Sequence, residues 1–164
     1  MDKSKVREIV QETAPWLIWA LQLQDWNIQI AYETLASENT ATGFHADAKI
    51  DKVTGSQRAL ITLDHDALHT RQQVLGALGH ELLHIFHQGF DLYGNAVDAV
   101  APDTAAVILE RVFYDAREAM VRRVERMLSG GLCLDWEAVI AQAKERAAGF
   151  VPKGEVTEVG EEDN

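Results

Sequence analysis

Val74-Leu75-Gly76-Ala77-Leu78-Gly79-His80-Glu81-Leu82-Leu83-His84-Ile85-Phe86 reads as one helix with its chemistry on a single edge. A helix turns about 100° per residue, so His84 stands about 40° around from His80 and one turn further along, and both imidazoles can reach one ion. Glu81 stands about 100° from His80. From there it cannot easily share the first coordination shell, but it can reach a water held by the ion and accept its proton. With His80 at 0°, Leu75, Leu78, Leu82 and Phe86 fall between about 160° and 240°. This predicts a helix with a buried back and a site-facing front, starting near Ala67 and stopped by Gly89. A His-Glu-x-x-His match arises from this composition in roughly one chain of this length in fifty, so it is the apolar stripe opposite the histidines that makes the match a metal-site reading.

Residues 3–13 pattern as an amphipathic helix through Val6, Ile9 and Val10. Pro15 breaks it or opens a further helical turn carrying Trp16, Leu17, Trp19 and Leu21, a cluster that suits core packing. Trp26 to Tyr32 alternates apolar and polar residues, the period of a half-buried strand; Phe44 to Ile50 repeats the pattern, and Arg58 to Leu63 forms a third strand close enough to pair as a hairpin. Asp64 or Asp66 is placed to cap the motif helix. A Gly/Asp-containing connection over 89–104 ends in Pro102-Asp103-Thr104, which suits an N-cap. A long helix follows over about 105–128 and ends at Ser129-Gly130-Gly131; a last helix spans about 134–148. The expected architecture is α+β, with one domain over 1–150 and a flexible acidic tail over 151–164. Gly76 and Gly79 sit within the motif helix, where close packing accounts for them better than nucleotide binding.

With 164 residues and 47% hydrophobic content, the chain can bury a sizeable core. A formal charge of −11 argues against binding a phosphate backbone directly. Arg117, Arg122, Arg123 and Arg126 are interleaved with Glu118 and Glu125, the pattern of a solvated helix face. Cys133 is the single cysteine, which excludes an intramolecular disulfide and fits a reducing cytoplasm. The N-terminus lacks the pattern of a secretory signal, and no run approaches the ~20 apolar residues that cross a bilayer, so membrane association is not expected.

Two histidines do not complete a catalytic zinc site, which takes three protein ligands and leaves a fourth position open. The long helix offers Glu110, Asp115, Glu118 and Glu125. Its apolar residues fall into a main arc (Leu109, Val112, Phe113, Ala116, Met120, Val124, Met127) and a second stripe (Val107, Tyr114, Val121, Leu128), which predicts burial on two sides. Asp115 lies among arginines. Periodicity does not separate the three glutamates; Glu118 is preferred because it is central, where packing holds a ligand in place, with an i+4 pair to Arg122 as the alternative use of that side chain. His87 sits about 10 Å along the axis from His80, too far to share its ion, which leaves it an outer or surface role. His45 has the parity of the face opposite Phe44, and His65 and His69 read as surface residues.

The Trp26-x-Ile28-x-Ile30 opening, the helix bearing His80-Glu81-Leu82-Leu83-His84 and the second helix bearing Glu118 together resemble a minimal zincin of the gluzincin type, as in small intracellular metallopeptidase-like proteins of bacteria and phages. The resemblance covers roughly residues 24–128 and is specific mainly in the five-residue motif. It implies zinc on His80, His84 and Glu118, Glu81 as general base, and hydrolysis of a peptide or protein substrate. The other reading is a catalytically inactive scaffold of the same kind that acts as a metal-binding regulatory module. The chain departs from better-marked relatives: no distinctive sequence surrounds Glu118, and His87 is the one histidine downstream of the motif, which excludes third-histidine variants.

Overall fold

The computed structural model describes residues 1–35, 48–53, 57–86, 103–128, 135–147 and 157–158. In chain order these form α1 (Lys3–Ala20), β1 (Asn27–Glu33), β2 (Ala48–Val53), β3 (Arg58–Asp64), α2 (Arg71–Phe86), α3 (Asp103–Leu128), α4 (Trp136–Arg146) and β4 (Thr157–Glu158). The arrangement is α+β. The 36–47 segment with the start of the expected second strand and His45, the 54–56 turn, the 87–102 connection with His87 and Gly89, the 129–134 stop with Cys133, and the tail residues 148–156 and 159–164 lie outside the described residues. So do the side chains of Glu110 and Glu125.

The sheet order is β2-β3-β1-β4. β2 and β3 pair antiparallel, with Ile50 opposite Ile61, as the hairpin reading expected. β1, however, runs parallel to β3, with Ile30 opposite Ile61, so β3 inserts between the two strands that precede it in sequence. Its central position explains its near-continuous burial from Ile61 to Asp64, where simple alternation would expose every second residue. Thr157–Glu158 lie parallel to β1, which holds these two residues of the C-terminal segment against the sheet.

One core cluster joins Ile28, Ile30, Ile61 and Leu63 of the sheet to Val6, Val10 and Leu17 of α1 and to Val74, Leu75, Leu78 and Leu82 of α2. Pro15 does not break α1, which runs through it and buries Leu17 and Ile18 beyond it. The helix ends in a Schellman motif: the Leu23 N–H donates to the Ile18 carbonyl at 2.9 Å and the Gln22 N–H to the Trp19 carbonyl at 3.1 Å, with Gln22 at φ 57°. Trp136 of α4 is buried, and Trp16 and Trp26 pack against the core, as aromatic burial predicts.

Several boundaries differ from expectation. α2 starts at Arg71, four residues later than Ala67, because Asp64 closes a turn instead of capping the helix. Its Oδ1 accepts from the Asp66 and Ala67 N–H groups at 2.9 and 3.2 Å, and its Oδ2 from the Leu35 N–H at 3.1 Å. The helix is opened by Thr70 and Gln73, a reciprocal capping box. The Gln73 N–H donates to Thr70 Oγ1 at 3.2 Å and the Thr70 N–H to Gln73 Oε1 at 3.0 Å. Phe86, assigned to the buried stripe, is 55% exposed at the helix end. α3 begins at Asp103, and among its described side chains the expected burial on two sides holds only in part. Among its described side chains Val121 is fully buried and Val124 packs against the core, whereas Val112 is 55% exposed, Tyr114 50%, and Ala116 and Ala119 are exposed.

Candidate metal centre

The front of α2 differs from a simple open edge, because the helix is packed almost all round. Val74, Leu78, Leu82, Leu83 and Ile85 are all buried, and so are Glu81 and His84. Gly79, immediately before His80, lets α4 approach: a Cβ there would stand 2.3 Å from the Trp136 ring, so the absence of a side chain is what admits the indole. Gly76, one turn earlier, faces open space. The packing expected of both glycines therefore holds at Gly79, against a side chain, and not at Gly76.

α3 crosses this edge of α2 and is pinned there by Val121. One turn before Val121, Glu118 points at the histidines. His84 Nε2 lies 3.1 Å from Glu118 Oε1, His80 Nε2 lies 3.5 Å from Glu118 Oε2, and the two Nε2 atoms are 3.2 Å apart, with the rings edge to face at 80°. His84 is buried, while His80 and Glu118 keep side-chain exposures of 24% and 20% toward solvent. Glu118 thus serves the histidines, not an i+4 pair with Arg122.

Three ligand atoms from three side chains converge on one point. Each Nε2 faces a separate oxygen of Glu118, and the two nitrogens also face each other, so in their deprotonated form all three side chains direct lone pairs at one point. A cation in the middle satisfies all three at once. The separations fit that use: with bonds of ~2.1 Å and tetrahedral angles, ligand atoms stand about 3.4 Å apart. The wider group, with every ligand atom within 4.8 Å of the others, is the one candidate metal cluster among the described residues.

Electrostatics separate the two acids. Hydrogen bonds from His80 and then His84 hold the Glu118 carboxyl far below the usual carboxylate range, so it is ionised. Burial pushes Glu81 up, an effect opposed by the neighbouring His84 and His80 and by Arg117. The region therefore contains one permanently charged carboxylate beside the histidines and one whose affinity for a proton is raised.

Arg117 belongs to this environment although its sequence pattern placed it on a solvated face. It is half-buried, its guanidinium carbon lies 5.5 Å from the centre of the Tyr114 ring, and its charge favours the ionised form of Glu81. Its position directly before Glu118 was the available signal. Trp136 was also missed as a support of the site, since only the contact with Gly79 reveals it. His65 and His69 stand away from the centre. His65 Nε2 is 3.8 Å from Asp66, and His69 Nδ1 is 3.5 Å from the N-terminal amine.

Compared with known proteins, the chain matches no family model, no curated protein and no solved structure. The reading of the site rests on its own geometry. No helix among the described residues is long and apolar enough to cross a membrane.

Proposed function

We propose that the chain is a zinc-dependent metallopeptidase with a zincin-like arrangement, in which His80, His84 and Glu118 hold the metal and Glu81 is the general base. The observation that carries this reading is the meeting of Glu118 with both histidines across two helices, next to a buried glutamate of raised proton affinity. Two imidazoles and one carboxylate form a ligand set that zinc favours, and His80, His84 and Glu118 would hold it. Zinc held there would supply Lewis acidity toward a scissile carbonyl and make water more acidic.

The protein's own groups do the rest. Glu81 takes the proton from the attacking water and delivers it to the leaving amine, a role that suits a carboxylate whose proton affinity burial has raised. Glu118, ionised, balances part of the metal's charge and fixes α3 against α2. The half-exposed His80 side gives a peptide or protein substrate a route to the centre.

Metal analysis of protein purified without added chelator should find close to one zinc per chain. Glu81→Gln should keep that zinc and lower cleavage of a mixed peptide library by about 10²–10⁴-fold. Glu118→Gln should weaken zinc by more than the ~10–100-fold that loss of an outer-shell partner costs. A Glu81→Gln protein that cleaves as well as the parent would overturn the assignment, and a zinc-loaded parent that cleaves nothing would point to the regulatory-module reading.

A further inference from the structure

Gly76 sits inside the helix that carries His80, and packing within the molecule does not account for it. Glycine is less favourable than alanine in a helix interior, because it gives up more backbone freedom and adds no side-chain contact. Gly79 has a compensating neighbour in the Trp136 ring. At Gly76 a Cβ would meet nothing within 4 Å, so no neighbour requires its absence. Nor does Gly76 end a helix, since α2 runs from Arg71 to Phe86.

Its position relative to the histidines supplies a reason. Gly76 stands one turn before His80, about 6 Å along the axis and about 40° around it. It belongs to the edge of α2 that is not buried: Gln72 and Gln73 are exposed and Gly76, Ala77 and His80 half-buried, whereas Val74, Leu75, Leu78 and Gly79 are buried. From Gln72 to Ala77 this strip has no charged side chain, in a chain whose formal charge is −11. Arg71, just before it, is turned to Glu12 and Glu137. The strip thus leads to His80 with a neutral surface and, at Gly76, with bare backbone.

We infer that Gly76 is a specificity-determining residue: the main chain of an extended, uncharged peptide segment passes over it, and the missing Cβ lets that main chain approach α2 beside the ligand histidines. An extended chain advances about 3.3 Å per residue, so a peptide bond held beside His80 places the residue two positions away over Gly76. The strip offers a charged residue at that position no partner in exchange for its water, which favours neutral ones. The inference rests on the peptidase reading of the site and adds to it the class of peptide bound.

Calorimetric titration of the zinc-loaded full chain with hydroxamates tests this without relying on turnover. Acetohydroxamate reaches the metal alone, whereas oligoalanine hydroxamates, with the alanines on the acyl or the amide side of the chelating group, extend along the protein. In the parent, one of the two oligoalanine ligands should bind about tenfold or more tighter than acetohydroxamate. Gly76→Leu should remove that gain, Gly76→Ala part of it, and both should leave acetohydroxamate binding and the far-ultraviolet circular dichroism unchanged. Glutamate in place of the alanine two positions from the chelating group should weaken binding by about tenfold. An oligoalanine ligand indifferent to Gly76→Leu would overturn the inference. So would equal weakening of both kinds of ligand, which places the effect on the metal or the fold, or a parent that binds neither oligoalanine ligand better than acetohydroxamate. The expected pattern in a parent that cleaves no peptide would sustain the role of Gly76 and overturn the peptidase reading alone.

Discussion

Gln22 holds a left-handed backbone, at φ 57°, because the Schellman turn that ends α1 requires it, and a side chain with a Cβ is strained there. Glycine adopts the same conformation without that strain. Gln22→Gly should therefore stabilise the fold by about 0.5–1 kcal/mol, read as a higher urea midpoint with an unchanged slope. A lower midpoint would mean that the Gln22 side chain contributes more than its backbone costs. Glu118 shows how far residue-level reading reaches. Periodicity left Glu110, Glu118 and Glu125 open, and centrality in the helix favoured the one that stands within 3.1 Å of His84. Centrality worked because Val121, one turn on, is the fully buried contact that fixes α3 at that point. The proton affinity of Glu81 was not legible, since it follows from burial by elements far away in sequence.

At the scale of elements, the strands and helices were legible where one face is apolar, and less so where chain geometry or a distant partner decides. The alternation of 26–32 located β1, but nothing local indicates that β1 runs parallel to β3, because that pairing depends on the course of the chain between them. The start of α2 was misplaced because Asp64 and the Thr70/Gln73 box are both plausible caps, and three backbone N–H groups had already claimed Asp64. The apolar arc of α3 was read as core, and of its described residues Val124 packs against the core while Val112 and Ala116 are exposed, since periodicity reports that a face is apolar and not what covers it. The two glycines of α2 supply a paired prediction. Gly76→Ala, facing open space, should stabilise by about 0.5–1 kcal/mol through helix propensity, while Gly79→Ala, which drives a methyl into Trp136, should destabilise by about 1–3 kcal/mol. Opposite signs in thermal denaturation confirm the contact, and equal signs refute it. Arg71 ties three helices together. Nη1 and Nη2 donate to Glu12 of α1 at 2.8 and 3.2 Å, and Nε donates to Glu137 of α4 at 2.6 Å. These groups are partly exposed, so Arg71→Ala should cost only about 1 kcal/mol at pH 7. The hydrogen bond from Arg71 holds Glu12 below the usual carboxylate range, so this stabilisation is present above the unfolded value and is lost as pH falls through the lower folded one. The difference between parent and variant should accordingly shrink below about pH 4.

Across the whole molecule, the described contacts of α3 with the rest are few and concentrated at its crossing with α2, so the His80–His84–Glu118 cluster is also a joint between the N-terminal body and the long helix. α1, α2, α4 and the sheet share one apolar core, to which α3 contributes Val121 as the fully buried member among its described side chains. A metal bound to ligands from both helices stabilises the folded state by mass action, by about 4 kcal/mol at a thousandfold excess over its dissociation constant if the unfolded chain does not compete. Removing it should loosen α3 before it loosens the core, because α1 and α2 keep their apolar contacts without it. Hydrogen exchange followed by mass spectrometry, with and without a chelator, should show faster exchange in peptides from 103–128 and little change in peptides from Lys3–Ala20 and from β1 and β3. Adding zinc back should restore the slow exchange, and Glu118→Gln should behave like the chelated parent whether or not zinc is present. Uniform acceleration across all helices would show that metal and core form a single cooperative unit, and no change anywhere would show that α3 is held by its apolar contacts alone.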